Sequence, residues 1–408
     1  MRAIIAARPS ALQPAALEWI ASMLARRRFL ALPFAAPLLN ALSTPAIRSI
    51  DVFPAIYGVT SYFRFFPKPE RPSVIVKITA EDGTVGWGQS VPLQTWSYET
   101  LESTLAGIQN YLAPAIIGKS PFDLAGVHLA MKKAIANSFS TGAPISKAGI
   151  DLALHDLIGR LTSQTLPQRW GRKPLPSVTL SWTVNARTMS EAEELLEAGR
   201  TRGYKNFNLK VAPDPKFDLE LVRKAREFAP NGFLWIDANG AYEPATALEV
   251  APKFARLGVD VFEQPVAPNR ISALQSLKKQ GALPIILDEG VVHSSDLMEF
   301  IRLNMLDGVA MKPARTAGLY DAVRQVEILE DAGLMFLGSG LTDPDLSLAA
   351  SLQLFAAFNL KYPAALNGPQ FLSGTYLHKP IEVKDGAALV PQGPGLGVEV
   401  DESKLRKS

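Results

Sequence analysis

Five charged side chains recur through the middle of the chain at a nearly constant interval. Lys210, Asp237, Glu263, Asp288 and Lys312 are separated by 27, 26, 25 and 24 residues. Each closes a short apolar run: NFNLK, LWID, VDVFE, PIILD and GVAMK. The interval matches one strand, one helix and two short loops. In a parallel β/α barrel every unit delivers a strand end to the same rim, so one charge per unit at that end builds a site there.

The surrounding pattern agrees. Strands are predicted near 178–183, 206–211, 233–237, 260–263, 284–288, 308–312, 334–338 and 363–367. Helices are predicted near 190–202, 217–228, 244–257, 270–280, 294–303, 318–332 and 345–358, with Ser190 and Ser294-Ser295 read as caps. Alternation implies a parallel sheet, and eight repeats in ~190 residues imply closure into a TIM-type barrel over 166–367. A doubly wound open sheet would need a Gly-rich phosphate turn after an early strand. The chain has none, and GPGLG at 393–397 reads as a C-terminal turn. Before the barrel, Ile47–Pro54 and Ser73–Thr79 alternate as strands, EDG at 81–83 supplies a turn, and Thr84–Gln89 returns. Helical patterns at Thr100–Leu112, Leu124–Ser138 and Ser146–Leu161 complete an α+β domain over 47–165.

Composition narrows the chemistry. The 408 residues include no cysteine, which excludes disulfides and thiolate metal sites. The four histidines are scattered with no HxH or HExxH spacing, so a metal site must be built from oxygen ligands. The net charge of +3 resides at the N-terminus: residues 1–46 hold five arginines and one glutamate, leaving the rest near neutral. No basic surface for nucleic acid is implied. Residues 26–46, RRRFLALPFAAPLLNALSTPA, resemble a twin-arginine export signal, and Met23 is a candidate true start. The apolar run, broken by Pro33 and Pro37, is too short for a stable membrane span.

Barrel geometry turns the five charges into a constellation. Strands in an eight-stranded barrel sit roughly 45° apart. Lys210 ends the second strand and Lys312 the sixth, so they face each other across the mouth, with Asp237, Glu263 and Asp288 on the arc between them. Three converging carboxylates repel unless a cation joins them. All-oxygen ligation points to Mg²⁺, with Mn²⁺ as the alternate. A divalent ion beside a substrate carboxylate stabilises the charge that develops when the α-proton is removed, and lysine is a competent base when its pKa falls.

Lys210, WIDANGAY, FEQP, LDEG and MKPARTAG resemble the enolase superfamily, and more narrowly its muconate-lactonizing-enzyme-like group. GWGQS at 86–90 and SKAGIDLALHDLIGR at 146–160 resemble that family's capping domain. The resemblance implies an α+β cap over a modified (β/α)7β barrel, completed by residues 368–408. It implies Asp237, Glu263 and Asp288 as Mg²⁺ ligands and Lys210 and Lys312 as an acid/base pair. The histidine base of mandelate-racemase-like members is missing from LMFLGSG, and the Asp-x-Asp of dipeptide epimerases is missing from AALNGPQ. Where the family carries Lys-x-Lys, this chain has Asn208-Leu209-Lys210.

These readings predict an enzyme that abstracts a proton α to the carboxylate of a small-molecule substrate. Two opposed bases favour racemisation or epimerisation of an amino-acid derivative. Cycloisomerisation, syn-dehydration and a non-catalytic carboxylate-binding protein stand as alternatives. Asn208, Asn239, Arg64, Ser339 and Asp343 are the expected substrate contacts, with Asp345 read as a helix cap. The aromatic segment 60–72 is expected to close over the substrate. The family often assembles into homo-oligomers, and no interface is legible in this chain.

Overall fold

The computed structural model describes residues 44–137 and 139–405. The export segment expected at 1–46 lies, through residue 43, outside the described residues. Strands β1 (Ile47–Val59), β2 (Glu70–Ala80) and β3 (Val85–Ser90) form an antiparallel meander. The 81–83 turn closes the second hairpin, with the Ala80 N–H donating to the Thr84 carbonyl at 2.9 Å. Helices α1 (Leu101–Gly107), α2 (Leu124–Ala134) and α3 (Pro144–Thr162) cover this sheet. The α3 helix is buried on nearly every side, and its polar side chains Lys147, Asp151, His155 and Asp156 are buried with it. The GWGQS motif explains how α3 comes so close to β3. A Cβ on Gly88 would lie 2.1 Å from the Gly149 carbonyl, and one on Gly86 2.3 Å from that of Ala153.

The second half alternates strand and helix. In order come β4 (Ser177–Thr179), β5 (Trp182–Val184), α4 (Met189–Thr201), β6 (Phe207–Lys210), α5 (Pro215–Phe228), β7 (Leu234–Asp237) and α6 (Pro244–Arg256). They continue as β8 (Val261–Glu263), α7 (Ile271–Gln280), β9 (Ile285–Leu287), α8 (Ser294–Arg302), β10 (Gly308–Met311), α9 (Leu319–Ala332), β11 (Met335–Gly338) and α10 (Asp345–Ala357). Strands β5 to β11 form one parallel sheet in sequential order. The predicted first strand divides: β4 pairs antiparallel with Ala387–Leu389, and only β5 enters the barrel.

The seam of the barrel is closed by Ala364 and Ala365, which bridge in parallel to Leu180 and Ser339. Pro363 cannot donate to a ladder, so this last segment stays short. The side chain of Gln370 substitutes for missing backbone, accepting the Thr183 N–H at 3.0 Å and donating to its carbonyl at 2.7 Å. The chain then returns to the cap, where β12 (Leu372–Ser373) pairs antiparallel with β1. The fold is thus a (β/α)7β barrel with an α+β cap.

Three caps differ from expectation. Thr188 rather than Ser190 caps α4, and His293 rather than Ser294 caps α8 in a box with Asp296. Asp345 does not cap α10, whose N-cap is Pro344. Its carboxylate instead accepts from the Tyr57 hydroxyl (2.7 Å), the Thr375 hydroxyl (2.6 Å) and the Tyr376 N–H (2.7 Å), tying barrel to cap.

Candidate active site

The barrel interior is layered by the two-residue period of its strands. Trp235, Val261, Ile286, Ala310, Leu337 and Ala365 pack as an apolar disc. Two residues further along the same segments stand Asp237, Glu263, Asp288, Lys312, Ser339 and Asn367, with Lys210 in register beside Asp237 and Asp237 beside Glu263. The apolar layer is a floor, and the polar layer above it is the site.

The charges compensate each other pairwise. Lys210 Nζ lies 2.5 Å from Asp237 Oδ2. Asp237 also accepts the Asn239 N–H at 2.8 Å and its Nδ2 at 3.1 Å. Burial pushes the Asp237 carboxyl up, but Lys210, Lys312 and these hydrogen bonds outweigh it and hold it below its ordinary value. Asp288 is paired with both Lys312 and the Arg315 guanidinium. Burial pulls Arg315 down to about 9. Glu263 has no cation of its own: Trp235 Nε1 donates to its Oε2 at 2.7 Å, and its Oε1 has no partner. Burial, then the neighbouring Asp237 charge, raise the Glu263 carboxyl to about 8.

The donor set fits a hard divalent cation. Three carboxylates, each at most 1% exposed, end neighbouring strands, and Glu263 Oε1 has neither a hydrogen-bond partner nor an ion pair. Among the described residues no three acidic or histidine side chains are already drawn into a ligand set, because the lysine ammonium groups and Arg315 take up the charge of Asp237 and Asp288.

A cleft opens above this layer. Lys210, Lys312, Asn208, Asn239, Ser339 and Thr342 contribute its polar wall, and Phe63, Phe65, Leu93 and Trp96 its apolar wall. Both lysines face the cleft while the carboxylates lie behind them. Of the expected substrate contacts, Asn208, Asn239 and Ser339 line it. Arg64 does not. Its Nε donates to Asn185 Oδ1 at 3.0 Å and its Nη1 to the Val211 carbonyl at 3.2 Å, so it anchors the 60–72 loop to the barrel. Asp343 is also outside the lining. It accepts the Leu341 N–H at 3.1 Å and the Ser351 hydroxyl at 3.3 Å, and burial raises its carboxyl. Within the loop, Phe63 packs on Phe371 with centroids 4.8 Å apart, whereas Tyr62 points outward beneath Arg187.

Several site groups were not singled out from the sequence. Lys312 Nζ sits 4.5 Å over the Trp96 ring, and Trp96 Nε1 donates to Glu289 Oε1 at 2.8 Å. Glu289, Trp235 and Arg315 were available as neighbours inside LDEG, WID and MKPARTAG. Trp96 and Asn367 carried no local signal, since each reaches the site only through the packing of cap on barrel and the closing of the seam.

Fold and site together define a class, the capped-barrel enzymes of the enolase superfamily. Residues 189–404 match the enolase C-terminal domain-like family, and residues 67–171 match the mandelate racemase / muconate lactonizing enzyme N-terminal domain. The chain belongs to the muconate-lactonizing-enzyme-like group of that superfamily, and it is an enzyme of isomerase or lyase type. It is 32% identical to a chloromuconate cycloisomerase of Cupriavidus necator, covering 82% of this chain and 90% of that one. It is 28% identical to muconate cycloisomerase 1 of Rhodococcus opacus over the same shares. The solved 2-chloromuconate cycloisomerase of Rhodococcus opacus 1CP superposes with a TM-score of 0.81 at 26% identity, covering 89% of this chain and 99% of that one.

Proposed function

We propose that this protein is a divalent-metal-dependent enzyme of cycloisomerase type, moving a proton at the carbon α to a substrate carboxylate while a bond at the β carbon forms or breaks. The observation that carries the reading is the placement of two lysines at the ends of a row of three buried carboxylates, both facing one cleft. The names of the similar proteins favour cycloisomerisation over the racemisation that the sequence suggested.

Held by Asp237, Glu263 and Asp288, Mg²⁺ (or Mn²⁺) would supply electrostatic stabilisation of the anion that develops at the substrate carboxylate. The remaining work falls to the chain. Phe63, Phe65 and Trp96 exclude water from the reacting carbon. In the ring-closing direction a carboxylate oxygen adds to the β carbon of a conjugated double bond, and a lysine Nζ gives its proton to the α carbon. In the opening direction the neutral lysine takes that proton back as the C–O bond breaks. Racemisation is kept as a second reading because Lys210 and Lys312 approach from opposite sides of the barrel. We also propose export through the 26–46 segment. Among the described residues no helix is long and apolar enough to cross a membrane.

The test is solvent deuterium incorporation at the α carbon, with Mg²⁺, across a carboxylate library beginning with cis,cis-muconate. Lys210→Ala and Lys312→Ala are compared with the parent. Cycloisomerisation expects one substitution to lower incorporation by about 10²–10⁴-fold. Racemisation expects each to block exchange of one enantiomer. Equal incorporation with and without Mg²⁺, or by both variants, overturns the proposal.

A further inference from the structure

One side of the site's floor is polar. Asn208 is the register partner of Trp235, so it belongs to the layer of Trp235, Val261, Ile286, Ala310, Leu337 and Ala365. It is 1% exposed, and neither its Nδ2 nor its Oδ1 has a hydrogen-bond partner. On its other side stands Thr183, whose hydroxyl accepts from Asn367 Nδ2 at 3.4 Å. That contact leaves Asn367 Oδ1 unpartnered. Asn239 is fixed the same way: its Nδ2 donates to Asp237 and Glu289, and its Oδ1 is unpartnered. All three amides line the cleft.

A buried amide without partners is costly, and a native protein retains one where a ligand completes it. Asn239 spends both its donors on the protein, so what it offers the cleft is an acceptor; Asn367 spends one donor on Thr183 and offers an acceptor beside its second N–H. Asn208 offers a donor and an acceptor together. A carboxylate only accepts and cannot satisfy these amide oxygens. An ammonium group would need an opposite charge, and no acidic side chain lines the cleft. An uncharged group bearing both a donor and an acceptor answers the whole set.

We propose that the substrate carries, besides its carboxylate, an uncharged hydrogen-bonding group, a carboxamide or a hydroxyl, and that Asn208 with Asn367 selects for it. This rests on the carboxylate-substrate reading above. It makes Asn208 a specificity residue that separates this protein's substrate from a plain unsaturated dicarboxylate.

The experiment is calorimetric titration of the Mg²⁺-loaded protein with a matched pair of probes, glutarate and its monoamide 4-carbamoylbutanoate. The expected result is that the monoamide binds about tenfold or more tighter, since a site built to hydrogen-bond one group rejects its analogue. Asn208→Leu is expected to bring the ratio to about one, and Asn208→Lys to reverse it in favour of glutarate. The selectivity of the unaltered protein is decisive even if a variant fails to fold. Glutarate binding as tightly as the monoamide, or the preference surviving Asn208→Leu, overturns the amide-selection proposal alone. Absence of Mg²⁺-dependent binding for both probes overturns the carboxylate reading and this proposal with it.

Discussion

In the proposed metal site, Glu263 would control how readily a cation enters. Its carboxyl is raised from 4.5 to about 8 by burial and by Asp237, so at neutral pH the metal-free protein holds a proton there. Ligation requires the ionised form, and binding must expel that proton. Mg²⁺ affinity, measured by calorimetry, is therefore expected to rise by up to about tenfold per pH unit below about 8 and to level off above it. Linkage gives the matching sign for folding. A raised carboxyl favours the folded state at pH below 4.5, and that advantage is lost as pH rises through about 8. Melting temperatures of the metal-free protein should fall over that window, and added Mg²⁺ should reverse the fall. Glu263→Gln should flatten both profiles. The carboxylate itself was legible in VFE, but its shifted ionisation was not, because the shift depends on a desolvating floor and a neighbouring strand.

At the scale of elements, the loop after β11 is clamped from two sides. Arg71 on β2 is fully buried, and its guanidinium donates to the Leu341 carbonyl at 2.8 Å, the Val91 carbonyl at 2.9 Å and the Pro92 carbonyl at 2.5 Å. Asp343 takes the Leu341 N–H. Leu341, which lines the cleft, is thus held by both its backbone groups. Arg71→Met leaves the buried Leu341, Val91 and Pro92 carbonyls without their donor. We expect about 1–3 kcal/mol of lost stability by chemical denaturation, with KM rising more than kcat falls. The glycines of GWGQS set a second limit. Gly88→Ala puts a methyl against the Gly149 carbonyl, where backbone rather than a flexible side chain must move. A loss of about 1–3 kcal/mol is expected for that overpacking. Period-two and helical spacing located both elements correctly, but Asp343 reads in sequence as a loop acid open to substrate. Only the position of Arg71, some 270 residues away in the chain, turns it into a structural partner.

For the whole molecule, cap and barrel share one hydrophobic core. Tyr57, Ile75 and Trp87 of the cap sheet cluster with barrel-side residues such as Leu180, Leu348 and Leu352. Buried acids fasten the same boundary. Asp151 on α3 accepts from the first N–H groups of α9, and Asp345 binds Tyr57 and the returning chain at Tyr376. Urea unfolding followed by near-UV and far-UV circular dichroism is therefore expected to show one coincident transition. Asp345→Ala should lower stability by about 1–3 kcal/mol, leaving a buried Tyr57 hydroxyl without its acceptor. Two separated transitions would show that the halves fold independently.

The sequence by itself determined the barrel, the order of its strands and the strand ends that carry charge, because strands buried on both faces read as short continuous apolar runs and each β/α unit has a nearly constant repeat length. It located Lys210, Asp237, Glu263, Asp288 and Lys312 for the same reason. The tertiary structure decided what those charges meet. Which lysine pairs with which acid, the exclusion of Arg64 and Asp343 from the cleft, the entry of Trp96 and Asn367, and the unpartnered amide of Asn208 all depend on segments far apart in the chain. Local spacing encodes which way a side chain points, and long-range packing encodes what waits for it there.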